Sequence, residues 1–195
     1  MIPAFLLIVV AVGYRILTGL AIISGATWLS NFAPMAALAL CGAAYFPARY
    51  KFTVPLSALL ITDIVLNVHY GASMFHPLIV GRYLALIVVG LLGWALANRA
   101  SWKTLLPASL AGSVLFYVIT NAFAWLSDPG YVKNFAGLVQ ALTVGLPQYS
   151  ATPSWMFFRN SLLSDLIFTG LFILCLHWGR SPAPARASSA LPRPI

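Results

Sequence analysis

The sequence predicts an all-α, polytopic membrane protein: a bundle of six transmembrane helices with an outer amphipathic helix between the fifth and the sixth. Three observations predict it. Of 195 residues, 61% are hydrophobic and 7% charged, with a mean hydropathy of +0.92, where a soluble domain carries roughly 25% charge. The apolar residues gather into six runs of about spanning length, with proline or glycine at the breaks. The cations collect on alternate connections, as the positive-inside rule produces.

The first run, Ile2–Ile23, holds a single charge, Arg15, behind its apolar stretch. No basic segment precedes it, so it reads as a retained span and not a cleaved signal peptide. The second, Asn31–Phe46, is the shortest, and its Ala39-xxx-Ala43 pair permits close helix approach. The third, fourth, fifth and sixth are Phe52–Tyr70, Leu78–Asn98, Leu105–Leu126 and Asn160–Trp178. Gly25, Pro34, Pro47, Pro77, Pro107 and Pro147 lie at or near the breaks, where a helix must start or stop.

Arg49 and Lys51 follow the second span, Arg99 and Lys103 the fourth, and Arg180, Arg186 and Arg193 the sixth. All seven fall on one side, which predicts cytoplasmic N- and C-termini. Residues 1–178 therefore read as one membrane domain. Residues 179–195, with four prolines among Ala, Ser and Arg, read as a disordered cytoplasmic tail. The net charge of +8 is dispersed between apolar runs, which argues against nucleic-acid binding and for contact with anionic lipid headgroups of the bilayer. Cys41 and Cys175 each lie inside an apolar run, so neither a disulfide framework nor a metal spacing can be read.

The connection from Ser127 to Phe158 is too long for a plain link. Asp128-Pro129 is a helix-start signal, and Val132, Phe135, Val139, Leu142 and Leu146 recur every three or four residues. The spacing predicts an amphipathic helix over Tyr131–Leu146, serving as a lid or as an interfacial anchor.

The polar residues carry the functional reading. Asp63 lies near the middle of the third span, where an ionised carboxylate costs about 2.5–3.5 kcal/mol and needs a partner or a wet cavity. Asp63, Asn67 and Tyr70 share one helix face at i, i+4 and i+7. Arg15, isolated at similar depth, is the expected ion-pair partner. Asn31, Tyr83, Asn121, Trp125, Arg159, Asn160 and Asp165 fall toward the same, outer ends of their spans, while the inner halves are nearly all apolar. A polar basin closed toward the cytoplasm is the shape of a substrate receptor. The alternative is helix packing through ion pairs, Arg15 with Asp63 and Arg82 or Arg159 with Asp165. Catalytic motifs such as GxSxG and HExxH are absent. His69 and His76 have no carboxylate companion that would make a metal site, and no cofactor is implied.

Four stretches together resemble a widespread family of uncharacterised bacterial six-helix membrane proteins: Asn31–Phe46, Pro55–Asp63, Phe116–Trp125 and Phe158–Asp165. That family is similar in architecture to the substrate-binding S-components of energy-coupling-factor (ECF) vitamin transporters. The resemblance implies residence in the bacterial cytoplasmic (inner) membrane and an outward-facing pocket. It also implies an ATP-driven energising module as a partner, with pocket roles for Asn31, Asp63, Asn121, Trp125, Arg159, Asn160 and Asp165. One departure stands out: S-components dock through an Ala-xxx-Ala surface in the first helix, and Ala4–Val12 has no such pair. The reading is a non-enzymatic, substrate-binding uptake protein for a small vitamin-like molecule, of which a solitary cobalamin-type carrier is one form. A structural or assembly protein is the runner-up and an intramembrane enzyme the third.

Overall fold

The computed structural model describes residues 2–22, 32–71, 73 and 75–178; Asn31 and the tail from 179 lie outside them. The described residues form seven α-helices, α1 (Ile2–Ile22), α2 (Met35–Tyr45), α3 (Thr53–Tyr70), α4 (Pro77–Ala95), α5 (Trp102–Ser127), α6 (Phe135–Leu142) and α7 (Ser154–Trp178), with 3-10 turns at Ala48–Tyr50 and Ala97–Arg99. No strand occurs among them. Among the described residues four segments are long and apolar enough to cross a membrane: Ala48–Tyr70, which includes α3, then α4, α5 and α7. Their outward faces carry large apolar side chains in the open, among them Ile64, Leu91, Val114 and Ile167. Exposed apolar surface on that scale is what lipid covers.

The bundle is built around α2. Met35 through Ala44 are all buried, and α3, α4, α5 and α7 pack around them. Alanine and glycine dominate this helix, so its neighbours approach closely. The closest approach is made by Gly93 of α4, where an added Cβ would lie 2.1 Å from the Leu40 carbonyl oxygen. Backbone meets backbone there, and only glycine leaves the room.

The second span is shorter than expected. Pro34 occupies the N-cap, and Phe46 turns extended (φ −80, ψ 155) before Pro47, as a residue preceding proline does. Eleven residues rise about 16 Å, half the roughly 30 Å of a hydrocarbon core. Pro34 and Phe46, the non-helical residues that flank α2, are buried, so the backbone there is covered by protein.

Three other boundaries are corrected. Pro107 does not break the fifth span, because α5 starts at Trp102 under a capping box made by Ser101 and Thr104 and carries Pro107 in its second turn. One missing donor so near a capped end is tolerated. α7 begins at Ser154, six residues before Asn160. The helix expected over Tyr131–Leu146 is confined to Phe135–Leu142: Asp128 uses its Oδ1 to accept from Gly130 N at 2.8 Å, a turn, and Asn134 caps the helix by accepting from Gly137 N at 2.9 Å.

α6 packs on α5 and α7 with its small residues, Gly137 and Ala141, turned inward and Phe135 and Val139 exposed. A Cβ on Gly137 would lie 1.9 Å from Val132 O, so α6 is folded tightly back on the turn before it.

Candidate functional site

The charged centre joins three helices. Arg15 of α1 donates from Nη2 to Asp63 Oδ1 of α3 at 2.9 Å, and Arg82 of α4 donates from Nη1 to the same oxygen at 3.3 Å. Asp63 is 1% exposed, against 11% for Arg15 and 30% for Arg82. Arg15 also donates to Thr62 Oγ1. One turn and more along α3, Tyr70 donates its hydroxyl to Gly19 O of α1, so the Asp63 and Tyr70 ends of the predicted face do meet α1. Buried and without a hydrogen-bond partner are Asp63 Oδ2, Arg82 Nε and Tyr83 Oη.

Asp165 takes no arginine, contrary to the pairing that the sequence suggested. Its Oδ1 accepts from Ala37 N at 2.9 Å, in the first turn of α2, and its Oδ2 lies 2.8 Å from Ser113 Oγ of α5. Pro34 offers α2 no side-chain cap, so a carboxylate from α7 meets one of the orphan donors and the positive end of the helix dipole. Beyond it Thr169 Oγ1 donates to Ser109 Oγ at 3.1 Å, which continues a buried polar seam between α5 and α7.

Beside the seam is a cavity of about 160 Å³ walled by Ser113, Phe116, Tyr117, Thr120 and Asn121 of α5 and Ser154, Phe157, Phe158 and Ser161 of α7. A second, of about 70 Å³, shares Phe116 and Ser161 as walls and reaches Arg15, Arg82 and Asp165. On the far side of Arg82 a third, of about 250 Å³, is lined by Asn67, Ser73 and His76. Among the described residues, no group of three His, Cys, Asp or Glu could hold a metal ion.

Residues 1–186 match the model of a family of unknown function, DUF6580. The chain belongs to that family. No curated protein and no solved structure matches it.

Within this DUF6580 chain the expected site residues divide. Asn121 lines the cavity between α5 and α7, Asp165 and the guanidinium groups line the second, and Asn67 lines the third. Tyr83 packs against the core with its hydroxyl unmatched. Asn160 is buried and accepts from Arg159, at 3.4 Å from Nε and 3.3 Å from Nη2. Arg159 itself is exposed, its guanidinium 6.0 Å over the Trp155 ring, within reach of a cation–π contact. Trp125 does not line the cavity: its Nε1 donates to Val132 O at 2.9 Å and its carbonyl accepts from Lys133, fastening the turn before α6. α3 contributes no residue to the 160 Å³ cavity, which belongs to α5 and α7. Ser113, Phe116 and Phe157 were not singled out from the sequence. Ser109, Ser113, Tyr117 and Thr120 recur at helical spacing, and that hydroxyl stripe is the signal that could have found this wall.

Proposed function

We propose that this DUF6580 protein is a multi-pass protein of the bacterial cytoplasmic membrane that binds and takes up a small molecule in the cavity between α5 and α7. The observation that carries the reading is the wall itself: hydroxyl and amide groups of Ser113, Thr120, Asn121 and Ser161 face the same space as three phenylalanine rings. Ser113, Thr120 and Asn121 already bond within the protein, to Asp165, Phe116 O and Tyr117 O, and a hydroxyl or amide keeps further acceptor or donor capacity for a ligand; mixed polar and aromatic walls are what small-molecule sites use. Six spans with both termini in the cytoplasm accord with the seven cations on one side. α2 then counts as a span held inside the protein, and α6 lies over the outer end.

The volume supports a small substrate. About 160 Å³, with about 70 Å³ adjoining, is below the roughly 300 Å³ at which drug-sized pockets begin. The ligand is therefore smaller than a cobalamin, and a vitamin-sized molecule would require α5 and α7 to separate. Without an Ala-xxx-Ala surface in Ala4–Val12, uptake without a shared ATP-driven module fits α1 better than docking onto one. A structural role is favoured by one set of contacts, the fastening of Trp125 to Val132 and of Tyr117 Oη to Leu142 O at 2.6 Å. These bonds hold α6 on α5, and Tyr117, although its ring walls the cavity, commits its hydroxyl to Leu142 O.

A thermal-shift screen of water-soluble small molecules tests the reading, run on the solubilised protein and on Thr120→Phe, which fills the cavity. Compounds that raise the melting temperature of the natural protein alone are the expected result. No shift, or equal shifts in both, would refute a site between α5 and α7.

A further inference from the structure

The way Arg82 is held at Asp63 bears on what kind of molecule the cavity takes. Arg15 and Arg82 share one carboxylate, and both bond the same oxygen of it. The other carboxylate nearby, Asp165, is committed to the start of α2 and to Ser113, so its charge answers a helix end. Two guanidinium groups therefore compete for one oxygen of Asp63, and the one held more weakly is the one able to take a second acceptor. Arg82 is the looser of the two, with the longer bond, the greater exposure and a buried Nε–H that has no acceptor. It also stands between two spaces, lining the 70 Å³ cavity on one side and the 250 Å³ cavity on the other.

Resting on the uptake reading, we propose that the ligand is a small monocarboxylate whose charged end sits between Arg15 and Arg82, with its remainder in the Phe116-walled cavity. It enters past Asn67 and His76, and Arg82 exchanges part of its bond to Asp63 for a forked pair of bonds to the incoming carboxylate. Arg15 keeps Asp63. A single carboxylate suits a forked pair of bonds from Arg82, whereas a dianion such as a phosphate monoester would meet stronger repulsion from the Asp165 carboxylate that lines the same cavity.

The test uses the full chain in phosphatidylcholine nanodiscs at neutral pH, with 3-phenylpropionate and its uncharged amide, 3-phenylpropanamide, as probes of equal shape. Binding is read by calorimetry and by the shift in melting temperature. The acid is expected to bind roughly tenfold tighter than the amide, the worth of one charge-assisted bond. Arg82→Gln should bring the two to parity by weakening the acid alone, since it leaves Arg15 and Asp63 as a neutral pair and the fold intact. Arg82→Lys should keep part of the preference. Equal affinity for acid and amide in the natural protein would overturn the anion site and leave the uptake reading standing, as would a preference that survives Arg82→Gln. Binding of neither probe would likewise overturn the carboxylate site. If the acid has no effect but added phosphatidylglycerol stabilises the protein through Arg82, the anion is a lipid headgroup and the free carboxylate is refuted.

Discussion

Asp63 survives in an apolar interior because two guanidinium groups approach one of its oxygens, and that asymmetry orders the effects of substitution. Asp63→Leu leaves two cations facing each other and should cost about 3–5 kcal/mol. Arg15→Met leaves Asp63 with Arg82 and should cost less. The double variant should be more stable than the sum of the two predicts, with a coupling of about 0.5–3 kcal/mol in thermal denaturation in detergent; additivity would mean that the 2.9 Å contact carries no energy. This pair was legible in the sequence because each charge is isolated and at matching depth. The partner of Asp165 was not legible, since it is a backbone N–H left free by Pro34, 128 residues away. Nothing in residue spacing reports which helix start lacks a cap. Asp165→Leu should therefore destabilise by about 1–3 kcal/mol, from an uncapped helix and an orphaned Ala37 N–H, whereas Asn, which can still accept, should restore part of it. Equal loss in both variants would show that the bond to Ala37 is not what matters.

At the scale of elements, the apolar runs and their proline breaks foretold an all-helical chain and the places of α3, α4, α5 and α7, which are long and apolar enough to cross a membrane, while the second run gave a helix of only eleven residues. Hydropathy misjudged ends that depend on local hydrogen bonding: Ser101 with Thr104 carries α5 across Pro107, and Asn134, not Asp128, starts α6. Close packing of α4 on α2 rests on Gly93. Gly93→Ala should cost about 1–3 kcal/mol or more by forcing the helices apart. Gly170→Ala, in open space on α7, should be neutral or gain the roughly 0.5–1 kcal/mol of helix propensity. The segment that carries α6 should respond to alkali. Tyr131, buried in the turn before it, has its hydroxyl pKa raised from 10.0 by burial and by the neighbouring Asp128 and Tyr149. The folded pKa lies above the unfolded one, so the stabilising contribution is complete below pH 10 and is lost as pH rises through the folded value. The protection factors of residues 128–149, exchange rates corrected for intrinsic base catalysis, should therefore fall above that pH, and Tyr131→Phe should remove the fall; protection that stays constant through the titration would contradict it.

For the whole molecule, the arrangement is a small central helix enclosed by longer ones, with polar groups concentrated at the end of the bundle where α3 passes to α4 and α6 lies against α5. The outward apolar surface and the low charge were readable from composition. The cavity was not, because its walls depend on which faces of α5 and α7 meet. Asn121 was found for its amide, but the rings of Phe116, Phe157 and Phe158 are indistinguishable in sequence from lipid-facing residues. The central claim is that this space holds a molecule. Native mass spectrometry of the protein released from its own membrane tests it most directly, comparing the natural chain with Asn121→Leu and Thr120→Phe. The account predicts a discrete small-molecule adduct on the natural chain that is absent from both variants, with all three folded to similar melting temperatures. A bare natural chain, or an adduct carried equally by the variants, would contradict it.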